Sequence, residues 1–356
     1  MGRRILVTGL GTFWGSRVAQ TLEQDPTVEV IVGLGVDEPT VPLERTEYVR
    51  ADESYSILSR LVKATAVDTV VHTHLVVDPS QMPAAQVHET NVIGTMNLLA
   101  AASAPESSVR HIIVKSSTIV YGCSSSDPMW FDEDTPPSRP PSTRIERSLD
   151  EVEGYVRDFA LDNPDVAISV LRFSKVLGDE LETPISRSLG LPVVPAIAGF
   201  DPRFQFVHET DVVRAIMFVL EQQVSGVYNV AGDGVLPWSE VASICGKRTF
   251  PIPPYGTAVA GVALRRLGVD LPDELLALLR YGRGVDNSRL KDAGFRYEHT
   301  TAGTVKTFAE EARLRATVGD PHPTYRFEQD VETFFRHSPA VVRDAPASDT
   351  DGQADR

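Results

Sequence analysis

Three glycines near the start of the chain carry its clearest chemical signal. Gly9, Gly11 and Gly15 stand in the segment Val7-Thr8-Gly9-Leu10-Gly11-Thr12-Phe13-Trp14-Gly15, after an apolar β-rich run and before a helix-like stretch. That placement suits a diphosphate. Gly9 permits a tight turn, Gly11 lets backbone approach the ligand without a Cβ, and Gly15 lets helix and strand pack closely. The helix N-terminus then aims free N–H groups and a positive dipole end at the anion. Thr8, Thr12, Phe13 and Trp14 complete the expected cofactor loop. A carboxylate at the end of the second strand normally takes the adenosine ribose. Asp37 is the acid available there, and its alternative is a solvated turn residue. No arginine lies beside it to meet a 2′-phosphate, which favours NAD and leaves NADP open. Asp52 is placed either to accept from the adenine amine or to cap the helix beginning near Ser54.

These residues need a frame to hold them. Residues 4–8, 28–33, 48–51, 68–72, 111–116 and 167–173 read as strands, and 16–23, 57–64, 87–102 and 146–161 as helices. Strands apolar on both faces are covered by helices. Their alternation predicts an α/β fold, a doubly wound parallel sheet of the Rossmann type. After Gly178 the pattern breaks, with prolines at 184, 192, 195 and 202. Later helices are expected at 211–222, 256–267, 272–281 and 300–313, and a strand at 227–230. The expected domains are a dinucleotide-binding unit (1–178 plus 205–232) and a substrate-binding lid with C-terminal helices (179–204 plus 233–318). The ligand cleft belongs between them. Residues 338–356 read as a disordered acidic tail.

A formal charge of −15 argues against nucleic acid or an anionic membrane as main partner. Cys123 and Cys245 make no disulfide or metal pattern, and no metal is expected. No export signal or spanning stretch is evident, so the expected location is the cytoplasm. The expected partner is a small molecule, with a homodimer through 87–102 and 146–161 as a further expectation.

Several segments, in order, resemble the extended short-chain dehydrogenases/reductases of the NAD-dependent epimerase/dehydratase family, most like an actinobacterial branch of sugar-nucleotide epimerases. They are the glycine loop, Val70-Val71-His72-Thr73-His74-Leu75, Asn91-Val92-Ile93-Gly94-Thr95, Ser116-Ser117-Thr118-Ile119-Val120-Tyr121-Gly122, Leu171-Arg172-Phe173-Ser174-Lys175, Phe206-Val207-His208-Glu209-Thr210-Asp211 and Tyr228-Asn229-Val230-Ala231-Gly232. The resemblance implies NAD as cofactor and a nucleotide sugar as substrate. It implies that Ser117 hydrogen-bonds the reacting oxygen, that Ser116, His72 and Thr73 lie against the cofactor, and that Asn91 braces the central strands. Lys175, Gln205 and His208 are the expected substrate contacts.

The chain departs from the family where the chemistry should be. The family's Tyr-x-x-Ser-Lys-x-x-x-Glu, anchored on Ser148 and Glu153, puts Ile145 at the tyrosine and Leu149 at the lysine. No lysine occurs between Lys115 and Lys175, and none of the nine tyrosines has a lysine four positions later. A positioned acid/base is worth about 10²–10⁴ in rate. Either another group carries the proton, with Tyr121, His74, His208 and Glu146 as candidates, or the protein is a catalytically inactive dinucleotide-binding sensor or scaffold.

Overall fold

Ile5, Leu6 and Val7 are completely buried, so strand β1 (Arg3–Thr8) requires cover on both faces. It lies inside a seven-stranded parallel sheet. The order is Gly226–Val230, Ala167–Phe173, β5 (His111–Ser117), β4 (Thr69–His72), β1, β2 (Val28–Gly35) and β3 (Thr46–Arg50). The computed structural model describes residues 2–78, 82–255, 273–318 and 331–342. The chain winds outward from β1 through β2 to β3, then returns to β4 on the other side. The carboxyl ends of β1 and β4 therefore diverge at the switch point, where such sheets hold ligands.

Helix α1 (Phe13–Glu23) starts three residues before the apolar spacing suggested. Thr12 is the reason. Its Oγ1 accepts from the Gly15 amide at 3.2 Å and donates to the Gly9 carbonyl at 2.8 Å. Helix α2 (Tyr55–Thr65) follows β3. The helix expected across 87–102 comes in three pieces, α3 (Ala84–His88), a π-helical turn (Glu89–Ile93) and α4 (Gly94–Ala102). Asn91 occupies the π turn. Its Oδ1 accepts from Val76 N at 2.8 Å, and its Nδ2 donates to Val76 O at 2.9 Å and Ser148 Oγ at 3.1 Å. Asn91 thus braces the loop after β4 rather than the central strands. Helix α5 (Arg144–Asp162) begins with a capping box between Thr143 and Glu146, and buries the stripe Ile145, Leu149, Val152 and Val156.

Three apolar clusters result. One includes Leu58, Leu98 and Leu149, on the α2, α4 and α5 side of the sheet. A second includes Val18, Leu22 and Ile216, beneath α1 and the helix Glu209–Gln222. The third joins Ile185, Trp238, Leu278 and Phe308 in the part of the chain expected to form the lid. Residues 338–342, expected within a disordered tail, are anchored to the domain, with Ser338 and Ala340 buried. Val342 N donates to Ala64 O at 2.6 Å, and Arg4 donates to Ala340 O at 2.7 Å. The acidic remainder and the helix expected at 256–267 lie outside the described residues. Among the described residues no helix is long and apolar enough to cross a membrane.

Candidate active site

The glycine loop is strapped to the second strand, with Leu10 N donating to Leu34 O at 2.9 Å. Gly9 sits at φ +69°, in the left-handed region. A Cβ on Gly11 would stand 2.5 Å from the Asp37 carbonyl oxygen, and one on Gly15 would strike the Gly9 carbonyl. Gly11 is therefore needed for the approach of the Asp37 segment as well as for that of any ligand. Thr12, Phe13 and Trp14, at the start of α1, line open space.

That space is a cavity of about 400 Å³ at the carboxyl ends of the strands. Its floor is Gly11, Thr12, Asp37, Thr73 and His74, with Lys115, Ser116 and Ser117 from β5 and Lys175 just past the next strand. Residues 181–185 and the helix Asp273–Tyr281, through Glu274, Leu275 and Leu278, close the opposite side. Gly11 and the capped start of α1 suit a diphosphate, and Asp37 beside them suits a ribose.

The charged groups here are shaped by burial. His74 Nδ1 lies 2.8 Å from Glu53 Oε1. Burial opposes the imidazolium, yet the Glu53 hydrogen bond and charge outweigh it and raise the His74 pKa. Burial also opposes the Glu53 carboxylate, and the same partner nevertheless lowers its pKa. Lys115 is pushed down to about 7 by burial, its Nζ donating to Leu75 O at 2.8 Å. Lys175 is likewise pushed to about 7 by burial, with the Arg283 charge acting in the same direction. Ser117 Oγ is lightly held, donating to Phe173 O at 3.4 Å and accepting from Ile119 N at 3.3 Å. Ser116 Oγ donates to Glu153 at 2.6 Å, and Glu153 binds Arg172 in turn through Nη2 at 2.6 Å. Ser148 and Glu153 are thus both fixed by partners. Ile145 and Leu149, on the same helix, are buried in the apolar cluster and do not line the cavity.

Several expected site residues lie elsewhere. His72 is buried between Thr8 Oγ1, 2.6 Å from Nδ1, and Thr95 Oγ1, 3.0 Å from Nε2. Thr95 donates to Asn91 O, so Nε2 carries the proton and Nδ1 accepts from Thr8. Burial pushes the His72 pKa to about 4 and keeps it neutral. Tyr121 is also outside the cavity. Its ring stacks on Phe131, while its hydroxyl donates to Asn229 Oδ1 and accepts from Arg172, both at 2.8 Å. Glu146 caps α5 and pairs with Arg139. Asp52 Oδ1 accepts from Ser54 N at 3.2 Å, at the start of α2. Gln205 joins Val285 N at 2.7 Å to Gly232 O at 2.9 Å. His208 accepts from Thr210 N and stacks on His299. Neither Gln205 nor His208 reaches the cavity, because each is spent on bracing neighbouring loops.

Sequence reasoning missed Lys115 and Glu53. Lys115 had a signal, a lysine inside the apolar strand Ile112-Ile113-Val114, two residues before Ser117. Glu53 had none, since its partner arrives from a loop twenty-one residues away.

Comparison with known proteins agrees with this architecture. The model for the NAD dependent epimerase/dehydratase family matches residues 5–231. The chain is 33% identical over 335 residues to Uncharacterized protein Rv0501 of Mycobacterium tuberculosis, across 91% of this chain and 88% of that protein. Among solved structures, UDP-glucose 4-epimerase of Thermotoga maritima with UDP-glucose matches at TM-score 0.67 and 19% identity, over 88% of this chain and 99% of that one. UDP-glucuronic acid 4-epimerase of Bacillus cereus in complex with NAD matches at 0.66 and 18%, over 87% and 99%. The dTDP-glucose 4,6-dehydratase of Bacillus anthracis in complex with NAD matches at 0.65 and 18%, over 88% and 97%. At these identities the likeness to the solved structures is one of fold.

Proposed function

We propose, because the chain belongs to the NAD dependent epimerase/dehydratase family, that it binds NAD and transforms a nucleotide sugar by proton chemistry that does not use the helix α5 tyrosine and lysine positions. The supporting observation is one cavity bounded by the glycine loop at one end and by Ser117 at another. When bound, the nicotinamide takes up and returns a hydride. The chain's residues do the rest. The α1 amides and dipole hold the diphosphate, and Asp37 accepts from the adenosine ribose. Ser117 hydrogen-bonds the reacting oxygen. Lys175 meets the sugar nucleotide's phosphates as a point charge. The reading places the protein in the cytoplasm. It includes a homodimer through α4 and α5, where Met96 and Tyr155 stand exposed. Purified protein with NAD and a panel of UDP- and dTDP-sugars tests it by NADH fluorescence titration and by product chromatography. Product from any member supports it. Absence of NADH binding, or binding without product across the panel, counts against it.

A second reading, a dinucleotide sensor or scaffold without turnover, is favoured by the burial of Ile145 and Leu149. NADH binding without product from any substrate is its signature.

A further inference from the structure

We propose that Lys115 is the proton-carrying side chain of this site, its amine taking the proton of the ligand hydroxyl held by Ser117 and later returning it. The proposal rests on the epimerase/dehydratase reading and names the group that reading leaves unassigned.

The first observation is position. Lys115 and Ser117 are two residues apart on β5, so they project from the same sheet face, about 7 Å apart along the strand. Both line the cavity. A lysine stem spans that separation, so one ligand hydroxyl can touch both Oγ and Nζ. The second observation is partnership. Lys115 is buried, yet Nζ makes one hydrogen bond, to the Leu75 carbonyl, and no ion pair among the described residues. A buried lysine without a counter-ion is costly to keep charged. An apolar residue would serve a purely structural role at this strand position better.

The surroundings keep the amine available. His72 on β4 is neutral and spent on Thr8 and Thr95, while His74 on the following loop is bound to Glu53. Neither ring offers Lys115 a counter-charge, and burial alone favours its neutral amine. The cavity's carboxylates, Asp37, Asp78, Glu182 and Glu274, and the second lysine, Lys175, come from other elements. None of them shares Ser117's strand. Tyr121 has its hydroxyl committed outside the cavity.

The step balances without further reagents. The ligand O–H bond breaks and its proton forms the third N–H of Lys115. The C–H electron pair would pass as hydride to an oxidised nicotinamide, which would supply the two-electron acceptor when bound, and a C=O bond would form. The return runs in reverse, the ammonium giving its proton back to oxygen.

Two measurements on the full chain test this. With only six lysines in the chain, Nζ and Cε shifts of lysine-labelled protein can be followed against pH. Lys115→Arg identifies the Lys115 signal. It should titrate near neutral pH and move when NADH is added. Titration above about pH 9, the ordinary range for a lysine, overturns the proposal. The second measurement compares turnover of the sugar nucleotide found by the panel. Lys115→Met and Lys115→Arg should each lower kcat by about 10²–10⁴-fold, with NADH affinity and KM within about threefold of wild type. Lys115→Arg keeps the charge but cannot release the proton, so an equal loss in both separates proton transfer from charge. Turnover retained by Lys115→Met overturns this proposal alone. A wild type that binds NADH and transforms nothing overturns the enzymatic reading and the proposal together.

Discussion

Glu53 lies two residues before the start of α2, next to its N-cap Ser54, and its carboxylate meets His74 Nδ1 at 2.8 Å across the mouth of β4. Each group favours the charged form of the other against the cost of burial. The consequence for stability has a definite pH window. The His74 pKa is raised, so its contribution is complete below about 6.5 and is lost as pH rises through the folded value. The Glu53 pKa is lowered, so its contribution is present above about 4.5 and is lost as pH falls through the folded value. The pair should stabilise most between those limits. Glu53→Gln is expected to cost about 1–3 kcal/mol there and less in alkaline solution. Thermal unfolding of both proteins across pH measures this. A cost independent of pH would remove the ion pair from the account.

Asn91 gives a second prediction. Its amide satisfies both the N–H and the C=O of Val76, a residue that lines the cavity. Asn91→Ala strands both buried groups, at about 1–3 kcal/mol for each. Urea unfolding should show that loss. NADH affinity should fall as well, because the released loop carries Thr73 and His74. Full stability in the variant would mean that water replaces the amide.

How much of this was legible in the sequence follows from how local each signal is. The glycine loop was legible because its requirements are local, a positive φ at Gly9 and close packing at Gly15. The order of strands and helices was legible because parallel strands covered on both faces are apolar throughout. The π turn at Asn91 was not. It follows from hydrogen bonds to Val76 and Ser148, partners that spacing along a helix does not reveal. Tyr121 has a family position, but only the fold shows its hydroxyl taken by Arg172 and Asn229. Lys115 was visible as a residue out of place, while the cavity that gives it meaning is assembled from five strand ends and the 273–281 helix.

Gly11→Ala tests the loop directly. The added Cβ would meet backbone of the Asp37 segment, which cannot swing aside as a long side chain would. The fold should survive, since the strain is confined to the rim of the sheet. NADH affinity should fall by about tenfold or more, equivalent to about 1.4 kcal/mol or more. Fluorescence titration with NADH reads the loss, and thermal unfolding in its absence checks the fold. Unchanged affinity would place the dinucleotide away from this loop.

Leu149→Lys, with or without Ile145→Tyr, looks from the sequence like a repair of the missing pair. The structure predicts the opposite outcome. Both side chains are buried against the sheet within an apolar cluster that includes Val120, Val152 and Val156. A lysine at 149 would lose that packing and bury an ammonium whose nearest carboxylates on α5, Glu146 and Glu153, are already held by the Thr143 cap and by Arg172. Leucine truncations in cores already cost about 2–5 kcal/mol, and an unpaired buried charge adds several more. The double variant should therefore unfold at markedly lower temperature and gain no turnover. Calorimetric unfolding and the sugar-nucleotide assay together decide it. A stable double variant with increased turnover would mean that α5 can rotate these positions into the cavity, and Lys115 would then no longer be needed as the proton carrier.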